Sequence, residues 1–204
     1  MRYQSTPRRL DPPSVLRQLR QLAPDRSLRP SEAMNLAELQ AARFLELSDA
    51  RWAEPVPIWI VSELPHVQVI DDPTLPIAGA SRWDASARTW IVRLNPTHSG
   101  PQRRFTLLHE FKHIIDFRPA SDAAPSHCDD HVAERAADQF AACVLLPKRA
   151  VRHAWGFTAR SAEAIAARFD VPEGVARMRL EQLGLLPPSR SHQPSFNDPI
   201  EVRS

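Results

Sequence analysis

Apolar and polar positions change their period twice along the chain. From Ser31, the segment "SEAMNLAELQAARFLEL" has apolar residues three and four positions apart, which predicts an amphipathic helix with Ser31 as its N-terminal cap. A shorter helix is expected before it, around "SVLRQLRQL". The middle of the chain alternates over short segments, and the helical period returns near residue 102 and continues to Leu186.

The middle region predicts three strands, at residues 66–71, 78–83 and 88–95. Turn-forming sequences such as "DPTLP" and "DASA" separate them, which favours a small antiparallel sheet. Trp90, Val92 and Leu94 are expected to share one face of the third strand. The short apolar run "PIWIV" near Ile58 fits either a helix or a strand.

The second half predicts helices at about residues 102–117 and 130–146 and a pair within 161–186. Helices, a small twisted sheet and further helices define an α+β fold. One domain is expected over residues 14–157, with the C-terminal pair (158–186) packed on it. Residues 1–13 and 187–204 are short of apolar residues and rich in proline, so we expect a disordered N-terminus and a flexible tail.

Composition limits the class of protein only coarsely. The 204 residues are 43% hydrophobic and carry a formal net charge of +2, which suits one core and gives no electrostatic argument for nucleic-acid binding. No signal segment or apolar run of about 18 residues is present, so a cytoplasmic protein without a membrane partner is expected. Of the two cysteines, Cys143 is expected in the core, and Cys128 lacks a second cysteine at ligand spacing.

The strongest chemical signal is "RRFTLLHEFKH", residues 103–113. His109 and His113 are four residues apart, so on a helix both imidazoles project from one face and can bind the same metal ion. Two histidines, a third protein ligand and an open position make a catalytic type of zinc site. Glu110 is expected to act as a general base and not as a ligand. The apolar residues around them predict a buried helix, in which a metal would satisfy all three polar groups.

The third ligand is expected from the helix in "HVAERAADQFAACVLLP". Glu134 lies at the edge of its apolar stripe, and Asp138, one turn later, is placed to accept the N–H of a ligand histidine. The small Ala137 and Ala141 would let this helix approach the histidine-bearing helix closely. The rival ligands are Asp116, Asp130 and His131.

Taken together, these segments resemble the ImmA/IrrE family of zinc metallo-endopeptidases. The resemblance covers most of residues 30–186 and rests on "RRFTLLHEFKH", "ERAADQFAACVLLP", "GASRW", "WIVRLN" and "SAEAIAARFDVPEGVARMRLEQLGLL". It implies a zincin-like fold with a thermolysin-like site that holds one zinc ion per chain. In this pattern His109, His113 and Glu134 bind the metal. Glu110 is then the catalytic base, and Asp138 stands at the family's usual Asn/Asp position.

The resemblance also implies a function. Members of the family typically cleave a helix-turn-helix repressor, which relieves repression in a mobile element, a prophage or a stress response. An extended substrate would add to the edge of the sheet. The residues expected to bind it are Ala78, Gly79, Ala80 and Ser81. Phe111 and Lys112 replace the Leu and Gly of the "HELGH" found in many relatives, and we expect no effect on metal binding.

The group that stabilises the oxyanion of such a reaction is left open. The only tyrosine is Tyr3, so none follows the zinc helix. The candidates are His127, His131, His153 and Arg152, or the metal acting unassisted.

Two other functions fit parts of the sequence. The C-terminal helices, joined by "DVPEG", invite a DNA-binding interpretation with Arg177 and Arg179 as contacts. Pro172 suits a first helical turn and Gly184 a C-cap. The apolar residues of the pair, which favour packing on the domain instead, are Ile165, Phe169, Val175, Leu180 and Leu183. The second alternative is a non-catalytic partner of a helix-turn-helix protein, such as a toxin–antitoxin component.

Overall fold

The structure, a computed structural model, describes residues 12–50, 54–117 and 129–188. Within these ranges, eight helices and three strands form an α+β fold, as the sequence predicts. The helices before the sheet are α1 (Pro12–Arg20), α2 (Pro30–Leu47) and α3 (Trp59–Ser62). The strands are β1 (Val67–Asp71), β2 (Gly79–Asp84) and β3 (Thr89–Leu94). The later helices are α4 (Gly100–Asp116), α5 (Asp130–Leu145), α6 (Lys148–Phe157), α7 (Ala162–Phe169) and α8 (Glu173–Gln182).

The small sheet is mixed, with the strand order β1, β3, β2. β2 is antiparallel to β3, with Gly79 opposite Leu94 and Asp84 opposite Thr89. β1 is parallel to β3, because β1 and β2 run in opposite directions and β3 returns between them, so the sheet is not purely antiparallel. Strand β2 therefore forms one edge of the described sheet. Trp90, Val92 and Leu94, which the sequence predicts on one face of β3, are all buried.

Three helices, α2, α4 and α5, supply the centre of the core. Phe44, Phe111 and Phe140, one from each helix, are fully buried, with ring centroids 5.2 to 6.2 Å apart. Ala137 and Ala141 are also fully buried, and α5 packs directly against α4. The two helices that carry the predicted metal ligands are thus held together by the core itself.

The start of α2 differs from the prediction. The helix begins at Pro30 with Arg29 as its N-cap, so the assignment of Ser31 as the cap is wrong. Proline suits the first helical position because that position needs no N–H donor. The backbone N–H of Arg29 instead donates to the Glu32 carboxylate at 2.9 Å.

Both ends of α4 are satisfied by polar side chains. At its start, Ser99 Oγ accepts a hydrogen bond from the backbone N–H of Gln102 at 3.4 Å. At its end, the Arg20 guanidinium donates to the carbonyl oxygens of Ile114 at 2.7 Å and Ile115 at 3.0 Å. These carbonyls lack helical partners, so Arg20 fixes the end of α4 to α1.

The C-terminal helices bury most of their apolar residues, and Leu183 is only partly buried. Ile165, Phe169, Val175 and Leu180 are fully buried. Gly184 follows α8 with φ at +69°, the left-handed conformation that ends many helices.

Arg179, the possible DNA contact, is buried and belongs to the core of this packing. Only 2% of it is exposed. Its guanidinium donates to the carbonyl oxygen of Leu146 at 3.3 Å and to the Glu38 carboxylate at 3.4 Å. The role of DNA contact is therefore wrong for Arg179, whereas Arg177 is exposed and pairs with Glu173 at 3.1 Å.

Several predicted features fall outside the described residues: Tyr3, His127, Cys128, and most of both terminal segments. Residues 12 and 13, assigned to the disordered N-terminus, are the first residues of α1. Cys143 is a core residue, and burial raises the pKa of its thiol to about 12. Within the three described ranges, none of the helices combines the length and the apolar character needed to cross a membrane.

Replacement of Arg179 by Met is expected to lower the free energy of unfolding by about 1–3 kcal/mol, because it leaves the buried Leu146 carbonyl without a donor. Arg177→Met is the matched control and should stay within about 0.5 kcal/mol, because it removes only an exposed ion pair. Denaturant unfolding of both variants measures the difference. Equal, small changes would contradict the structural role of Arg179.

Candidate metal centre

Two packed helices bring the three predicted metal ligands together. The Nε2 atoms of His109 and His113, both on α4, lie 3.0 Å apart. From α5, Glu134 places Oε2 at 3.2 Å from the His109 nitrogen and Oε1 at 3.3 Å from that of His113. One nitrogen or oxygen atom from each residue lies within 4.8 Å of those of the other two.

Asp138 holds the first histidine from behind. Its Oδ1 atom lies 2.8 Å from His109 Nδ1. Because a carboxylate accepts hydrogen bonds, Nδ1 carries the proton and Nε2 faces Glu134. Asp138 is one helical turn beyond Glu134, which is the arrangement that the sequence predicts.

The electrostatics of the cluster favour a positive charge between the three side chains. Burial alone lowers the pKa of His109, but hydrogen bonds with Asp138 and Glu134 outweigh it and raise the pKa to about 9. Hydrogen bonds with His109 and His113 hold the pKa of the Glu134 carboxyl well below its usual value. The same surroundings that favour a proton on His109 would attract a metal cation.

The donor set fits zinc in an open site. Ligand atoms at zinc distances of about 2.0–2.1 Å in a tetrahedron are separated by about 3.3 Å, close to the separations seen here. His109 is buried, with a side chain that is 1% exposed, whereas 30% of the His113 side chain and 48% of that of Glu134 are exposed. One side of the cluster is therefore open to solvent, as a catalytic site requires and a closed structural site does not.

The rival ligands lie elsewhere. The Asp116 carboxylate forms an ion pair with the ammonium group of Lys112, one turn earlier on α4. Asp130 and His131 are exposed in the first turn of α5. None of the three belongs to the cluster.

A cleft of about 430 Å³ opens over the cluster. Edge strand β2 forms one wall through Gly79, Ala80 and Ser81, three of the four residues predicted to bind substrate. The fourth, Ala78, is buried and its carbonyl accepts the backbone N–H of Asn95 at 3.0 Å. The cleft is also lined by Ile77, His109, Glu110, His113 and Glu134.

Gly79 allows β2 to approach α4 beside the predicted base. A Cβ atom at this position would lie 2.4 Å from Thr106 Cγ2 and 3.3 Å from Glu110 Cγ. The first distance is far below van der Waals contact, so only glycine fits without a shift of the strand or the helix. Glu110 itself is buried, with 6% of its surface exposed at the floor of the cleft.

Phe111 and Lys112, the departures from "HELGH", are accommodated away from the cleft. Phe111 fills the aromatic core cluster described above, and Lys112 is buried in its ion pair with Asp116. Neither lines the cleft.

Three exposed apolar residues were not among the predicted site residues: Ile77, Trp83 and Phe117. Ile77 is 39% exposed, lies in the loop before β2 and lines the cleft. Trp83 and Phe117 are 42% and 43% exposed, and both contact the buried Trp90 ring. In the sequence, each appears only as a large apolar residue near the end of a strand or helix. Such a residue fits a position in the core equally well.

A His-Glu-x-x-His helix packed against a carboxylate-bearing helix and beneath a small mixed sheet defines a zincin-like fold. The chain belongs to the peptidase M78 family, described by its IrrE N-terminal-like domain, whose model matches residues 66–181. The match includes both helices of the candidate metal centre, α4 and α5, and edge strand β2.

Comparison with solved structures finds the fold again in a protein described as a Mycobacterium tuberculosis transcriptional regulator. The match has a TM-score of 0.50 and 17% sequence identity, and covers 82% of this chain and 51% of that one. The chain thus spans about half the length of that protein, and a likeness at this identity shows the shared fold alone. None of the curated proteins compared with the chain matches it.

Metal content should depend on Glu134. We expect about one zinc ion per chain in the purified protein. Removal of a residue that only hydrogen-bonds to a metal ligand lowers metal affinity roughly 10- to 100-fold, and Glu134→Ala should lower it further because it removes a ligand. Elemental analysis after dialysis against a zinc buffer measures both. Asp116→Asn and Asp130→Asn are the comparison variants, and a larger loss in either than in Glu134→Ala would reassign the third ligand.

The contact at Gly79 gives a second prediction. Gly79→Ala should lower the free energy of unfolding by about 1–3 kcal/mol, since the new methyl group overlaps Thr106. Combining it with Thr106→Ser removes the overlapping Cγ2 atom and should recover much of the loss, which a double-mutant cycle detects. Gly156→Ala in α6 is the control, because no atom lies within 4 Å of the new methyl group. It is expected to gain about 0.5–1 kcal/mol from helix propensity.

Proposed function

We propose that the chain is a zinc-dependent endopeptidase that cleaves a helix-turn-helix repressor. The observation that carries the enzymatic part is the convergence of His109, His113 and Glu134 beside the buried Glu110, on the floor of an open cleft. Membership of the peptidase M78 family supports the same activity.

In this proposal His109, His113 and Glu134 hold the zinc ion. When bound, zinc supplies Lewis-acid chemistry, in which the pKa of water falls toward neutrality and a carbonyl group is polarised. Asp138 keeps His109 in the tautomer that can bind a metal, because its carboxylate accepts a hydrogen bond from Nδ1–H and leaves Nε2 unprotonated.

Glu110 is the general base. It lies next to His109 in sequence but outside the ligand cluster, on the floor of the cleft where a water molecule and the substrate carbonyl would meet. There it would remove a proton from the attacking water and later deliver it to the leaving amine. A Cβ atom at position 79 would lie 3.3 Å from Glu110 Cγ, so the glycine leaves room for this side chain beside β2.

The substrate would lie extended along β2. This strand pairs on one side only within the described sheet, and it forms a wall of the cleft. An added peptide strand would gain main-chain hydrogen bonds from Ala80 and its neighbours and would place its scissile bond over the metal ligands.

The residues that line the cleft reduce the number of candidates for the group that stabilises the oxyanion. The described lining of the cleft contains no arginine, lysine or tyrosine side chain. Arg152 and His153 are exposed on α6 and do not line the cleft, and His131 lies one turn before Glu134 on α5. His131 therefore stays the nearest candidate in sequence among the described residues, beside zinc acting unassisted.

The helix-turn-helix substrate and the cytoplasmic location are the finer part of this proposal. The family resemblance supports the substrate, because regulators of this kind are the usual substrates of the family. A non-catalytic partner of a DNA-binding protein would occupy the same genetic setting, and the catalytic base separates the two functions.

Glu110→Gln should abolish proteolysis without loss of metal. Removal of a general base lowers turnover by about 10²- to 10⁴-fold, whereas the amide keeps the size of the carboxylate and Glu110 is not a ligand. The assay incubates the zinc-loaded chain with the helix-turn-helix protein encoded beside it and follows cleavage by mass spectrometry. Zinc content checks the variant. Equal phenotypes of the wild type and this variant in cells, without cleavage in vitro, would favour the non-catalytic partner.

A further inference from the structure

Two exposed aromatic side chains contact the buried Trp90, and each belongs to an element that borders the cleft or directly follows one. Trp83, near the end of β2, is 42% exposed, and Phe117, directly after α4, is 43% exposed. Both contact the buried Trp90: the Trp83 ring centroid lies 5.5 Å from it, and that of Phe117 lies 4.8 Å from it in an edge-on arrangement. We call this pair the Trp83–Phe117 platform.

Each residue of the platform lies one structural repeat beyond a residue that lines the cleft, on β2 in one case and at the end of α4 in the other. On β2, Trp83 is two residues beyond the cleft-lining Ser81, and so lies on the same strand face about 7 Å further along. On α4, Phe117 follows the ligand His113 by four residues, one turn or about 6 Å. Strand and helix therefore both lead from the cluster to the platform.

That distance corresponds to one repeat of an extended peptide. Side chains on one side of a strand recur every two residues, about 7 Å. A peptide added along β2 with its scissile bond over the cluster would therefore place a side chain within two residues of that bond against the platform.

Two rings that are half exposed, and fixed from below by Trp90, form a preformed apolar surface of the kind that binds an aromatic or large aliphatic side chain. Their position over Trp90 keeps them in place without a bound ligand, so little ordering is needed on binding. Ile77, which lines the cleft itself, is also exposed, but it is aliphatic and offers no ring for stacking.

We infer that the Trp83–Phe117 platform is a specificity site, which selects substrates with an aromatic or large aliphatic residue within two positions of the scissile bond. This inference rests on the proposed peptidase function. It adds a sequence preference that neither the metal cluster nor the edge strand supplies, because main-chain pairing along β2 accepts any side chain.

The first experiment digests a mixture of defined synthetic peptides with the zinc-loaded chain and maps the cleaved bonds by mass spectrometry. The wild type is expected to prefer Phe, Trp, Leu or Met at one position within two residues of the bond. In Trp83→Ala and Phe117→Ala, the ratio of kcat/KM for a Phe peptide to that for its Ala counterpart should fall about tenfold. Trp83→Phe keeps a ring and should retain most of the ratio.

Trp59→Ala is the matched control. Trp59 is 53% exposed, on α3, which packs beside β1 at the opposite edge of the sheet. Its loss should leave the ratio unchanged. A ratio that survives in both platform variants, or a preference for Arg at that position, would overturn the inference.

A second measurement separates this inference from the proposed function. In the Glu110→Gln background, binding of labelled Phe and Ala peptides is followed by fluorescence anisotropy, which requires no turnover. Tighter binding of the Phe peptide that is lost with Trp83→Ala supports the platform even if the wild type cleaves nothing. Equal binding of both peptides overturns the platform, whereas an inactive wild type with selective binding overturns the peptidase proposal alone.

Discussion

The structure depends on burying polar side chains of α4 beside its core residues. His109 and Glu110 sit on α4 at 1% and 6% exposure, where an unpaired polar group costs several kcal/mol. For His109 the compensation comes from α5, whose Glu134 and Asp138 reach it at 3.2 and 2.8 Å. The two helices must therefore stay in one register, and the buried core between them enforces it. A shift of one residue along either helix would leave a buried charge without its partner.

The second requirement is that the sheet approach the same helix closely from another side. At Gly79 only a hydrogen atom separates the edge strand from Thr106, so β2 runs along the cleft instead of standing off from it. A peptide bound to that edge would then be within reach of the His109–His113–Glu134 cluster and of Glu110. One helix thus presents His109 and His113 toward Glu134 of α5 and Glu110 toward the strand, and all four side chains line the same cleft.

Much of this was predictable because local patterns determine it. The four-residue spacing of His109 and His113 and the apolar stripe around Glu134 are properties of single helices, and they identified the residues that the structure brings together. The alternation of apolar and polar residues could not predict the parallel pairing of β1. That pairing depends on the strand order, in which β3 lies between β1 and β2. Arg179 shows the same limit: a basic residue on a short helix looks exposed until its distant partner Glu38, on α2, is known.

The departures from "HELGH" show how α4 can pack in the core on some faces while it presents the candidate metal ligands on another. Glycine inside a helix costs about 1 kcal/mol relative to alanine, so a residue with a side chain strengthens α4 if there is space for it. Lys112 is fully buried, and the Asp116 carboxylate one turn later neutralises its charge, while Arg20 holds the last carbonyls of the same turn. Phe111 extends the aromatic core toward α2 and α5. Both residues lie on faces of α4 turned away from the cleft, so they contribute to the packing of the helix without changing the residues of the candidate metal centre.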